Sequence, residues 1–97
     1  MRYDIRFRGR VQGVGFRATA RSLALAHDRA SDSPRFRVVG WVRNEPDGDV
    51  SMSVEGESDA VDAYLADLRA ALGSLIRRET IAAHPGHLGY ESFEIRH

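Results

Sequence analysis

GRVQGVGFRATARSLA, residues 9–24, is where a strand-like rhythm gives way to a helical one. Ahead of it, YDIRFRG alternates: Tyr3, Ile5 and Phe7 fall on one face and Asp4, Arg6 and Arg8 on the other, as in a half-buried strand. From Phe16 onward the period lengthens. Phe16, Ala20, Leu23, Ala24 and His27 share one helical face, with Arg17 and Arg21 off to one side. Gly9, Gly13 and Gly15 cluster around the switch. Glycine loses more conformational freedom on ordering than any other residue, so the cluster needs a backbone reason. Two reasons compete: a turn with positive φ, or a close approach to a ligand.

Outward from this stretch, DRASDSPR (28–35) is polar, contains Pro34 and reads as a loop. FRVVGWVRN is strand-like, and Asp47-Gly48 in EPDG marks a hairpin turn. DVSMSVEG then alternates with Val50, Met52 and Val54 facing in. Ser58 suits the N-cap of a second helix whose apolar stripe is Val61, Tyr64, Leu65, Leu68 and Leu72, with Gly73 at its stop. LIRRETIAAH is a further strand candidate, Pro85, Gly86 and Gly89 mark a loop, and YESFEIRH alternates through Phe93 and Ile95 as a last strand. The order βαββαβ predicts an α+β, ferredoxin-like sandwich: two helices on one face of an antiparallel sheet, in one domain over residues 1–97.

Length and composition narrow the function classes. Ninety-seven residues support one core. The sequence has no cysteine, which excludes disulfides and thiolate chemistry. Fourteen Lys and Arg balance fourteen Asp and Glu, which argues against bulk electrostatic binding to nucleic acid or to an anionic membrane. No apolar run approaches the ~20 residues of a spanning helix. MRYDIRF lacks the apolar core of a signal segment. The expectation is a cytoplasmic, monomeric domain.

The glycine loop opens a helix, and a helix start presents unpaired N–H groups with a partial positive charge. Glycines just before it let those N–H groups converge on an anion. The second helix carries Glu57, Asp59 and Asp62 around its first turn, whereas the first begins FRATAR, with an arginine and no carboxylate. The loop therefore fits a small oxyanion with Arg17 as its charged partner. From these residues alone, a plain turn beside a solvated arginine explains the loop equally well.

Sharper motifs fall away. GVGFRA (13–18) fits the dinucleotide pattern G-x-G-x-x-A, but the chain is too short for the doubly wound sheet that gives the pattern meaning. No G-x-x-x-x-G-K-[ST] or G-x-S-x-G occurs. His84 and His87 flank Pro85-Gly86 with no third ligand spaced to complete a metal site. His27 reads as a dipole contact at the end of the first helix. Val11 stands where the anion loop of tyrosine phosphatases carries its cysteine, so if phosphate binds here, no phosphoenzyme forms through this position and water would have to attack directly. Asn44 ends the second strand candidate. A carboxamide cannot abstract a proton but can orient a water; equally, Asn44 fits as a turn residue tolerating left-handed φ.

GRVQGVGFR together with GWVRNEPDGDV resembles the acylphosphatase family, across nearly the whole chain and in the right order. The resemblance implies hydrolysis of a carboxylic–phosphoric mixed anhydride to a carboxylate and inorganic phosphate, with no metal or cofactor, and with phosphate as an expected inhibitor. Carried over, Arg17 grips the phosphoryl oxygens, main-chain N–H groups of Gln12, Gly13, Val14, Gly15 and Phe16 help, and Asn44 positions the attacking water. The substrate's own phosphate oxygens take the proton. Two features depart from the family pattern: HDRASDSPRFRVV is longer than the usual turn, and GSL (73–75) stands where Gly-Pro is common. The competing expectation is a non-catalytic small-anion or RNA-binding ferredoxin-like module, although the aromatic string of an RNA-binding sheet is missing. A third, the acylphosphatase-like module of larger carbamoyl-transfer maturation proteins, continues into zinc-binding segments that this cysteine-free sequence lacks.

Overall fold

Alternation builds the sheet and a 3.6-residue stripe builds each helix. Strand β1 (Arg2–Gly9) buries Ile5 and Phe7 and turns Arg6 and Arg8 outward. Helix α1 (Phe16–Ala30) buries Phe16, Ala20 and Ala24. Strands β2 (Val39–Asn44) and β3 (Val50–Glu55) follow, joined by the turn at Asp47-Gly48. Helix α2 (Ser58–Leu72) buries every member of the stripe read from the sequence, plus Ala60. A 3-10 turn (Gly73–Leu75) leads to β4 (Ile76–His84), and β5 (Phe93–Arg96) completes the sheet. The structure, a computed structural model, describes residues 1–30 and 36–97.

The sheet order is β4-β1-β3-β2-β5, with both helices packed against it in the expected ferredoxin-like sandwich. In one respect the sheet departs from expectation. β5 lies parallel to β2, from Gly40↔Phe93 to Arg43↔Arg96, so the sheet is mixed rather than wholly antiparallel. The reason is edge availability: β4 already pairs with the outer edge of β1, and the chain crosses to the opposite edge before forming β5. The crossing segment is pinned to the sheet by Glu55, whose carboxylate accepts the N–H groups of Leu88, Gly89 (3.1 Å) and Tyr90 (3.0 Å).

Three local readings are corrected. Residues 28–30 continue α1 instead of forming a loop, because the polar side chains of Asp28 and Arg29 suit the outer face of a helix as well as they suit a turn. Residues 31–35 of that expected loop lie outside the described residues. Glu57, not Ser58, holds the N-cap position of α2, and Gly73 ends it in right-handed geometry (φ −58°, ψ −32°) that runs on into the 3-10 turn. His27 does not act through the helix dipole alone. Its Nε2 meets Asp67 Oδ2 of α2 at 2.7 Å, because the two helices pack side by side. Between them the Tyr64 hydroxyl donates to Ala20 O at 2.8 Å, and burial pushes this phenol far above its ordinary pKa of 10.0.

Candidate functional site

Gly13 and Gly15 take φ of +74° and +80°. No described non-glycine residue has positive φ, so Val14 between them keeps the opposite hand. Alternation of this kind turns successive N–H groups toward one concavity. A methyl group built on either glycine meets no atom within 4 Å. Backbone angle therefore requires glycine here, and crowding does not. Gly15 O accepts the Thr19 N–H at 2.9 Å and starts α1. Phe16 anchors that start against Phe7, ring centroids 5.0 Å apart. The next N–H groups have no partner within the helix, and no acidic residue stands in the first turn to offset their charge.

β1 and β2 run in the same direction with β3 between them, so the exit of β1 and the end of β2 lie at one end of the sheet. There Arg17 and Asn44 line a single cavity of about 280 Å³ with Gly13, Gly15 and Phe16. Gln12 and Val14, also expected as backbone donors, do not line it. Asn44 is not at positive φ, which removes the turn explanation for it, and its carboxamide makes no protein hydrogen bond among the described residues. Arg17 Nη1 donates to Arg96 O at 3.4 Å and meets His97 Nδ1 at 3.3 Å. A guanidinium only donates, so in this contact Nδ1 is the acceptor. Arg17 Nε and Nη2 have no protein partner among the described residues.

Sequence reasoning missed two contributions. Ile95 and His97 wall the cavity, and they arrive through the parallel pairing of β5 with β2. The Gln12 side chain is a brace: its Nε2 donates to Glu45 O at 2.7 Å and to Asp49 O at 2.9 Å, tying the glycine loop to the hairpin that carries Asn44. A polar residue with two amide hydrogens inside a glycine loop was the available signal.

The carboxylates of the β2–β3 hairpin, Glu45 and Asp49, are engaged elsewhere. Hydrogen bonds from Arg6 and then Arg8 hold the Asp49 carboxyl below its ordinary 3.8. The Ser51 hydroxyl, followed by Arg43, holds Glu45 below 4.5. Neither lines the cavity, so neither is placed as a general base. His84 pairs with Asp4 at 3.3 Å and His87 stands 4.0 Å from Glu55. Among the described residues, no group of three or more His, Cys, Asp or Glu is placed to hold a metal ion. Among them, too, no helix is long and apolar enough to cross a membrane.

Comparison with known proteins gives a consistent picture. An acylphosphatase from Nocardioides sp. is 50% identical over 62 residues, which span 64% of this chain and 54% of that one. In three such relatives the chain spans 54–60% of their length. An acylphosphatase from Aeropyrum pernix is 38% identical over 99 residues, covering 100% of this chain and 89% of that one. The crystal structure of acylphosphatase from Bacillus subtilis superposes with a TM-score of 0.80 at 26% identity, covering 99% and 98% of the two chains. With the Acylphosphatase family model matching residues 3–95, the chain belongs to the acylphosphatase family.

Proposed function

We propose that this protein is an acylphosphatase, hydrolysing acyl phosphates to a carboxylate and inorganic phosphate by direct attack of water. One observation carries the reading: a guanidinium, a carboxamide and two glycines of opposite hand to their neighbour share one cavity. The phosphoryl group sits on the concavity of residues 12–16, its oxygens bridged by Arg17 and by main-chain N–H groups. A planar guanidinium fork matches two phosphoryl oxygens, and in a loose transition state charge spreads over those oxygens. Asn44 orients the water on the opposite side of phosphorus from the leaving carboxylate. As that P–O bond breaks, its electrons leave with the carboxylate, and the water proton passes to a phosphoryl oxygen. A good leaving group makes a side-chain base unnecessary, consistent with Glu45 and Asp49 being turned to other partners. The protein works as a cytoplasmic monomer, and inorganic phosphate, its product, inhibits it.

The decisive measurement is turnover of benzoyl phosphate with inorganic phosphate as competitor. Hydrolysis with competitive inhibition by phosphate is expected. Phosphate binding without hydrolysis would leave a non-catalytic anion module instead.

A further inference from the structure

A second concave region lies at the β1–β4 side of the same sheet end. Arg8, Arg10, Arg77 and Arg78 line a cavity of about 790 Å³ that has no carboxylate among its lining residues. It shares no lining residue with the cavity of Arg17 and Asn44. The whole sequence is formally neutral, so this concentration of positive charge is local.

The carboxylates nearby are already claimed. Asp49 is held by Arg6 at 2.9 Å and by Arg8 at 3.2 Å, Asp47 by Arg6 at 2.8 Å, and Glu79 by Arg69 at 2.5 Å. Among the described residues, Arg10, Arg77 and Arg78 have no carboxylate partner. A simpler account would have these arginines offset the dipole at the C-terminal end of α2. That end carries the equivalent of only ~0.5 of a negative charge, its effect fades within a turn, and Arg69 already stands in the last turn. The three further guanidinium groups without a carboxylate, those of Arg10, Arg77 and Arg78, exceed the need several-fold.

The backbone is shaped to gather them. The β1–β4 register passes from Arg8↔Arg78 to Gly9↔Ile76, which leaves Arg77 as the extra residue of a β-bulge. Bulges break the strict alternation of a strand and re-aim a side chain. Gly9 permits this one: at φ +140°, a Cβ there would lie 2.4 Å from Leu75 O and 2.8 Å from Arg77 N. Arg10 N donates to the same Leu75 O at 2.9 Å and is thereby fixed at the rim.

We infer that this groove is a second anion site, which binds an oligophosphate, carried by a nucleotide or by inorganic polyphosphate, outside the cavity of Arg17. Guanidinium forks donate to phosphate oxygens in pairs, and several neighbouring forks favour a ligand with several linked phosphates over a lone orthophosphate. The cavity falls within the ~300–1,000 Å³ typical of small-molecule sites.

Calorimetric titration of the full chain with inorganic tripolyphosphate and, separately, ATP, both free of divalent cations, tests the site. Binding is expected to persist in Arg17→Ala and to weaken by about tenfold or more in Arg77→Ala/Arg78→Ala, since charge-assisted hydrogen bonds are lost. Turnover of benzoyl phosphate by that double variant should match the parent, which also shows that it folds. Should the double variant fail to fold, Arg10→Ala carries the same expectation. Whichever of the two ligands binds more tightly identifies the source. Equal affinity in the arginine variants, loss of binding in Arg17→Ala, or no binding of either ligand at millimolar concentration would overturn the proposal.

Discussion

The chain crosses from strand to helix twice, from β1 to α1 and from β3 to α2, and it treats the two crossings in opposite ways. At the second, the protein closes the helix start itself. Gly56 N donates to Met1 O at 3.2 Å, and a side chain at Gly56 would lie 2.9 Å from Arg37 O. Glu57 stands at the cap and Asp59 in the first turn, where its Oδ1 accepts the Ala60 N–H at 3.0 Å. At the first crossing, nothing lies within 4 Å of the space beside Gly13 and Gly15, and the first turn holds no acid. A helix start is thus not a binding site by default. What distinguishes the first crossing is that its positive end is left unanswered and has an arginine added to it.

The largest effect should come from removing that arginine. Arg17→Ala is expected to lower kcat/KM for benzoyl phosphate by ~10²–10³, and Arg17→Lys to lose most of the same factor because it lacks the planar fork. Activity within about tenfold of the parent would take Arg17 out of the reaction. Next, Asn44→Ala should reduce kcat by ~10² while the inhibition constant for phosphate stays unchanged. A parallel loss of phosphate affinity would mean that Asn44 holds the phosphoryl group and not the water.

A third variant makes the first crossing resemble the second. Ala18→Glu puts a carboxylate into the exposed first turn of α1, beside the cavity. It should stabilise the fold by about 0.3–1 kcal/mol in urea titration while weakening phosphate inhibition. Unchanged phosphate inhibition would refute the idea that the missing acid matters.

The smallest effect concerns Glu55, at the doorway of the second crossing. Burial pushes its carboxyl up, but backbone N–H groups from Leu88, Tyr90 and Gly89 outweigh burial and hold it below its ordinary 4.5. The ionised form therefore favours the folded state. That contribution is complete above pH 4.5 and disappears as pH falls through the lower folded-state value. Glu55→Gln should flatten part of the acid limb of stability measured by denaturant titration. Asp49, also depressed, accounts for another part of that limb. An unaltered acid limb would place the loop's anchorage elsewhere.

The parts legible in the sequence were those with a local signature. Tyr3, Ile5 and Phe7 show a period of two, and Val61, Tyr64, Leu65, Leu68 and Leu72 a helical one, so β1 and α2 follow from patterning. The glycine pair, Arg17 and Asn44 are legible as motifs because positive φ and a strand terminus each restrict residue type. What stayed hidden depends on partners distant in the sequence. The parallel docking of β5 is set by which edge β4 leaves free, and His27 meets Asp67 only once α1 and α2 pack. The Gln12 brace ends on main-chain carbonyls, which no side-chain pattern marks.

The docking of β5 has a consequence for assembly. The cavity draws its walls from the glycine loop, from Asn44 and from Ile95 and His97, so in a chain emerging from the ribosome the proposed anion site is incomplete until β5 has arrived. β5 is four residues long and, among the described residues, pairs with one strand, β2, at the rim of the sheet. Such a segment opens more readily than the interior strands. Occupancy by an anion would clasp it from the side, shielding its amides from exchange with solvent and coupling the concentration of that anion to how long the finished molecule survives.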